Sequence, residues 1–207
     1  MEVERGLREF QLGHFQQNRE FYRELEKGQT PKTLFIGCSD SRVVPNLITT
    51  TFPEELFVVR NIANFVPPYD PHRWRCTTAI LEYGVQFLEV ENILVCGHSD
   101  CGGLKALYYP REQLAQFPAV EEWLSLGEEL KRRFSHLPEP ERKRETELAN
   151  VVLQLERLKE YPFIAQRVKE GRLRLIGWYY EIGTGRVLSY NWERGEFEEL
   201  KGEQEGE

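Results

Sequence analysis

Short apolar runs alternate with helical patterns along most of this chain, and that alternation limits what it can fold into. Thr33–Cys38 is one compact apolar run; Leu56–Val59, Ile93–Cys96 and Leu173–Trp178 are three more. Between the second and third lies a helical pattern over 73–89, with Ile80, Leu81, Val85 and Leu88 on one face. Two longer helical stretches, 118–135 and 139–169, separate the third from the fourth. Strands joined through helices pair in parallel by crossovers, not as tight hairpins. The expected fold is α/β, with a central, mostly parallel sheet of about four strands flanked by helices. Val187–Tyr190, following the turn Gly183-Thr184-Gly185, reads as an added antiparallel edge strand. Upstream, the charged segment 4–27 carries Leu7, Phe10, Phe15, Phe21, Tyr22 and Leu25 at roughly helical spacing. It reads as one or two amphipathic helices, stopped by Gly28 and Pro31.

At 207 residues the chain is expected to form a single domain over 1–200. Residues 1–30 would be its N-terminal helical arm, and the tail 201–207 (KGEQEGE) an acidic, disordered end. The net charge of -7 excludes a strongly basic nucleic-acid binder. No run approaches the roughly 18 apolar residues of a membrane span, and no apolar secretory region opens the chain. A soluble, cytoplasmic protein is expected, with a carboxysome or an organelle as the alternatives. The charged run at 139–147 (EPERKRETE) reads as a solvated helix face. Four cysteines, Cys38, Cys76, Cys96 and Cys101, are too few for a disulfide scaffold and point to metal binding or catalysis.

Two polar segments follow apolar strands directly. Cys38-Ser39-Asp40-Ser41-Arg42 follows the first strand, and Gly97-His98-Ser99-Asp100-Cys101-Gly102-Gly103 the third. Ligands of α/β sheets bind beyond the carboxyl ends of strands, where strand order reverses. If the first and third strands are neighbours, with the second beyond the first, the segments meet there. Cys38, His98 and Cys101 would then form a set suited to tetrahedral Zn²⁺ with one position open. Asp40 can reach that position as a fourth ligand that closes the site, or pair with the guanidinium fork of Arg42. Either short pattern alone is more often a turn or chance. Together they favour a catalytic metal over a structural zinc or no metal. Cys96 reads as a small core residue and Cys76 as a free cysteine on a helix.

These segments resemble the signatures of the β-class carbonic anhydrases, CSDSR at 38–42 and GHSDCGG at 97–103. The resemblance spans roughly residues 20–190. VVRNIANFVPPYD at 58–70, GQTPK at 28–32 and YPF at 161–163 are similar to the family's plant-type branch. It implies Cys38, His98 and Cys101 as zinc ligands and Asp40 with Arg42 as a catalytic dyad. Gly102 matches a backbone donor near the substrate, and Gln29, Phe57, Ile62 and Tyr83 match the substrate pocket, with Ile62 replacing the family's Val. In the family that pocket is shared between two subunits, and the N-terminal helices pack on the partner. A homodimer is thus the implied minimal unit, with tetramers, hexamers or octamers built from it. Phe35 stands where the bicarbonate-inhibited branch has Trp, so that inhibitory site is not expected, although Arg60 is in place. Phe87 stands where some plant-type members have a His proposed to move protons. That leaves His72, which reads as a proton carrier or a solvated surface residue. The long C-terminal extension of some cyanobacterial members is not seen, which weakens any inference of a carboxysome role.

The implied activity is zinc-dependent reversible hydration of carbon dioxide to bicarbonate and a proton, by attack of zinc-bound hydroxide. Two thiolate ligands weaken the Lewis acid, so activity is expected to rise into the alkaline range. A hydrolase of carbonyl sulfide or carbon disulfide on the same scaffold is one alternative. A non-catalytic zinc-binding scaffold is another, although it would be expected to lose Asp40 or Arg42. No nucleic-acid or membrane partner is expected.

Overall fold

Thr33–Cys38 forms strand β1, buried from its second residue onward. The structure, a computed structural model, describes residues 1–73 and 75–200. The tail expected to be disordered, 201–207, lies outside the described residues. Strands β2 (Leu56–Asn61) and β3 (Asn92–His98) flank β1 in parallel. Cys38 stands level with Asn61, and Gly37 with Cys96. Strand β4 (Arg174–Tyr180) joins β3 in parallel, and β5 (Val187–Asn191) returns antiparallel.

A sixth strand, β6 (Glu196–Glu199), completes the order β2-β1-β3-β4-β5-β6. Apolar runs do not reveal it, because Phe197 is its one apolar residue. Phe197 packs on Tyr190 with ring centroids 5.3 Å apart. Glutamates beside it suit a strand that must not attract another chain. Because β1 lies between β2 and β3, chain progression across the sheet reverses there. The carboxyl ends of β1 and β3 therefore form the switch point at which such sheets bind ligands.

On one face, Leu34, Ile36, Ile93 and Val95 pack with Leu81, Val151 and Leu155 of the covering helices. Those helices include α1 (Cys76–Glu82), which runs on as a wider turn through Tyr83–Phe87. Helix α2 (Gly102–Ala106) opens directly beyond β3. The 118–135 pattern divides into α3 (Pro118–Leu124) and α4 (Glu128–Phe134) around Gly127. A Cβ on Gly127 would stand 2.8 Å from both Leu107 and Phe65, so this approach of backbone to core requires glycine. The 139–169 pattern divides into α5 (Glu141–Lys159) and α6 (Pro162–Lys169). Pro162 opens the second helix, where its missing N–H costs nothing.

The charged run 139–147 is not a wholly solvated face. Glu147 is 2 % exposed and Thr146 1 %, because α5 lays this stretch against the carboxyl end of the sheet. The opposite sheet face holds a smaller cluster, Phe35, Leu94 and Cys96, edged by half-buried Ile176 and Trp178. In the N-terminal arm, Glu2–Glu9, Phe10–His14 and Phe15–Gln17 run on as helix, and Arg19–Leu25 follows a break at Asn18. No arm helix buries a residue, although Phe10 and Phe15 both pack on Tyr22. Among the described residues no helix is long and apolar enough to cross a membrane.

Candidate metal centre

Cys38 closes β1, His98 closes β3, and Cys101 precedes the first turn of α2. All three are buried, and their ligating atoms lie within 4.8 Å of one another. The Cys38 and Cys101 sulfurs are 4.0 Å apart. His98 Nδ1 faces the Ser99 carbonyl at 2.9 Å. A carbonyl only accepts, so Nδ1 carries the proton and Nε2 presents its lone pair. That Nε2 is buried and finds no hydrogen-bond partner among the described residues. A buried acceptor without a partner is costly unless something else occupies its lone pair.

The thiols make the same point. Cys38 is pulled down, chiefly by the hydrogen bond from the Cys101 thiol, with burial opposing. Cys101 is pushed up by that bond and by burial. Two buried thiolates repel at this distance, so the pair keeps one proton unless a cation lies between them. At His98 burial opposes the charged imidazole, but Cys38, the Ser99 carbonyl and Asp40 together outweigh it and the pKa rises. The donor set and the partnerless nitrogen fit a divalent cation with a taste for sulfur and imidazole.

Asp40 reaches this cluster from the turn after β1, with Oδ2 3.9 Å from His98 Nε2. Arg42 grips it: Nε donates to Oδ1 at 2.9 Å, Nη2 to Oδ2 at 2.7 Å and the backbone N–H to Oδ1 at 3.0 Å. The guanidinium holds the Asp40 carboxyl well below the usual carboxylate range. Arg60 pins the turn itself, donating to the carbonyls of Cys38 at 2.9 Å and Asp40 at 2.6 Å.

Beneath Cys101 sits Glu147 of α5. It accepts from the Cys101 backbone N–H at 3.2 Å and from the Tyr179 hydroxyl at 2.7 Å. Burial pushes its carboxyl up. Beside Arg42 sits Asp100, which takes Arg42 Nη1 on Oδ2 at 3.1 Å. Neither residue is signalled by spacing. Asp100 lies inside the GHSDCGG segment between two ligands, and Glu147 ends a charged run that hides its burial. Trp123 is a third addition, its indole N–H donating to the Ile62 carbonyl at 2.8 Å.

The residues expected to line the substrate pocket divide into two groups. Ile62 and Gly102 lie at the Cys-His-Cys cluster: a Cβ on neighbouring Gly103 would stand 2.7 Å from Ile62 Cγ2. Phe57 lies at the other end of β2, level with Leu34. Four residues separate it from the Cys38 level, roughly 13 Å at strand rise. Tyr83 packs on Phe57 at 5.8 Å, and Gln29 precedes β1 at that same far end. One chain does not bring Gln29, Phe57 or Tyr83 to its own cluster.

The remaining candidates fall as their chemistry suggests. Cys96 is fully buried in β3, and burial pushes its thiol up to about 12. Cys76 is exposed at the start of α1, and His72 is exposed in its loop. Phe87 is exposed and stacks on Tyr83 at 4.8 Å.

The carbonic anhydrase family model matches residues 33–187. A carbonic anhydrase of Helicobacter pylori is 39% identical over 209 residues, covering 97% of this chain and 95% of that protein. A carbonic anhydrase of Synechocystis is 40% identical over 190 residues, covering 90% of this chain and 69% of that protein. Among solved structures, the β-carbonic anhydrase CcaA superposes with a TM-score of 0.92 at 37% identity, covering 98% of this chain and 92% of that one. Tetrameric β-carbonic anhydrases of Sordaria macrospora match with a TM-score of 0.78 at 30% identity, covering 90% of this chain and 94% of that one. Likeness of this breadth, meeting a Cys-His-Cys cluster already assembled at the switch point, settles the assignment: the chain belongs to the carbonic anhydrase family, in its β class, and is a carbonic anhydrase enzyme.

Proposed function

We propose that this chain hydrates carbon dioxide reversibly to bicarbonate and a proton, with Zn²⁺ held by Cys38, His98 and Cys101. The observation that carries the reading is His98 Nε2, buried and partnerless beside two thiols. Zinc held there would supply the Lewis acidity that lowers the pKa of a bound water, though less far than with three neutral imidazole ligands, because two of its ligands are thiolates. Around it the chain positions the reactants. Asp40, kept ionised and acceptor-only by Arg42, takes a hydrogen bond from the attacking water and aims its lone pair. The Gly102 N–H, in the open first turn of α2, donates to the oxygen on which charge develops. Ile62 offers an apolar wall to an uncharged substrate.

The rest of the pocket comes from a second copy of the chain. Antiparallel pairing of the β2 edge with its own copy reverses direction, setting the Phe57 end of one strand beside the Ile62 end of the other. Phe57 and Tyr83 then extend the apolar wall, and Gln29 adds a donor. Two features support such pairing: Val58 on the β2 edge is 37 % exposed, and the arm leaves Leu12 78 % exposed. The released proton leaves to buffer, for which exposed His72 is the nearest candidate carrier in the sequence around the VPPYD loop.

Stopped-flow CO2 hydration, on protein with its zinc content measured, tests the reading. Rapid turnover with about one zinc per chain is expected. Full zinc without turnover at pH 7 and 8.5 would refute the proposed activity, and carbonyl sulfide would be the next substrate.

A further inference from the structure

Arg42 stands between two carboxylates. Besides gripping Asp40, it donates through Nη1 to Asp100 Oδ2 at 3.1 Å and through Nη2 to the Asp100 carbonyl at 3.0 Å. The guanidinium plane is thus fixed from two sides. Asp100 is fixed in turn: Lys143 of α5 donates to Oδ1 at 2.7 Å, and Lys105 of α2 reaches the same oxygen. Its φ of 62° is left-handed, a conformation that aspartate tolerates better than most side chains. Three cations from three segments therefore meet on one carboxylate.

Asp40 has a second destination. Its Oδ2 lies 3.9 Å from the partnerless His98 Nε2, so it borders the cradle that a cation would fill. Whether Asp40 stays with Arg42 or closes on a cation depends on how firmly Arg42 is held. Arg42 is 44 % exposed at its side chain. Without the Asp100 carboxylate, Arg42 keeps only the Asp100 carbonyl on that edge and turns more readily to solvent, releasing Asp40.

We propose that Asp100, clamped by Lys105 and Lys143, is a positioning residue that holds Arg42 in the plane gripping Asp40 and so keeps Asp40 off the metal. The proposal rests on the reading that Cys38, His98 and Cys101 hold zinc. Arg42 and Asp100 are 44 % and 41 % exposed at their side chains. A pair so exposed shifts the Asp40 equilibrium by up to about fivefold.

Asp100→Asn in the full-length, zinc-loaded protein is the test. Asparagine keeps the size and tolerates the left-handed backbone while removing the charge. Two quantities are read: CO2 turnover, and the rate at which a chelator strips zinc. Turnover should fall, and zinc should leave more slowly, by up to about fivefold, because Asp40 becomes a fourth protein ligand. In an Asp40→Asn background, Asp100→Asn should no longer slow zinc release. Replacing Lys105 and Lys143 together by Met should shift both readings in the same direction as Asp100→Asn. Unchanged or faster zinc release in Asp100→Asn would overturn the proposal, as would slowing that survives without the Asp40 carboxylate. A parent protein that binds no zinc would overturn the metal assignment first, and this inference with it.

Discussion

Gly102 and Gly103 are adjacent in one motif, yet alanine at the two positions should have very unequal consequences. A Cβ on Gly102 meets nothing within 4 Å. A Cβ on Gly103 would stand 2.7 Å from Ile62 Cγ2, 3.1 Å from Ala63 Cβ and 3.3 Å from Ala63 N. Ile62 can yield, because it is 42 % exposed, but Ala63 is fully buried and its φ of 61° is already left-handed. Gly103→Ala must therefore push α2 away from the Ile62-Ala63 turn. Overpacking of this kind costs about 1–3 kcal/mol. For a chain of this size that lowers Tm by about 2–4 °C per kcal/mol. Gly102→Ala should melt within about 0.5 kcal/mol of the parent, since alanine also favours helix over glycine. Thermal melts of the two zinc-loaded variants, followed by circular dichroism, make the comparison. A double variant with Ile62→Ala removes the closest contact and should recover part of the Gly103→Ala loss. If Gly103→Ala melts with the parent, or Ile62→Ala recovers nothing, the close approach of α2 to this turn is wrong.

Three further outcomes are expected. Glu147→Ala leaves the buried Cys101 N–H without its acceptor, so zinc affinity in chelator competition should fall about tenfold, and unchanged affinity would count against that support. Glu181 is held below the ordinary carboxyl range: burial opposes this, but hydrogen bonds from Arg144, Arg186 and Thr184 prevail. Its contribution is therefore present above its unfolded value near 4.3 and lost as pH falls through the lower folded value. Glu181→Gln should cost about 1 kcal/mol at pH 7 and nothing at low pH, and an equal Tm loss at pH 7 and pH 3 would refute the sign. Finally, kcat/KM should rise between pH 7 and 9, because two thiolate ligands leave a weaker Lewis acid. A flat or falling profile would contradict that.

The sequence makes the sheet and the ligands legible for one physical reason. A strand buried on both faces must be apolar throughout, so Thr33–Cys38 and the run inside β3 stand out from their surroundings. Polar, oxidisable groups placed directly after such runs need a purpose, and Cys38, His98 and Cys101 converge on one place. Where the pattern is weak, residues do their work through partners that are distant in sequence. Phe197 alone cannot announce β6. Gly127 breaks a helical pattern because Leu107 and Phe65 crowd it, and neither is nearby in sequence. Glu147 sits in a run whose charge says surface, but its acceptors are taken by Cys101 and Tyr179. Asp100 reads as one more polar residue until Arg42, Lys105 and Lys143 are seen to converge on it.

The positions of Phe57 and Ile62 bear on how such a site is divided between chains. Both belong to the β2 segment, and about five residues of extended chain cannot fold back to place both beside one substrate. Either Phe57 serves no substrate, or it serves that of another copy. The second alternative accounts for features the first leaves idle. Phe57, Tyr83 and Phe87 form an aromatic wall, Tyr83 stacked on Phe87 and Phe57 tilted against Tyr83, all at the β2 end of the sheet and partly open to solvent. An edge strand with exposed Val58 and few charges invites pairing instead of blocking it. The candidate metal ligands need only one chain, because the carboxyl ends of the neighbouring strands β1 and β3 deliver all three. On the proposed reading the apolar wall would need two, because its aromatic half lies at the opposite end of the strand. On this argument Phe57→Ala should impair turnover while leaving each chain's zinc in place, and mixing it with a Cys38-deficient copy should yield dimers in which one intact site re-forms from the two damaged partners.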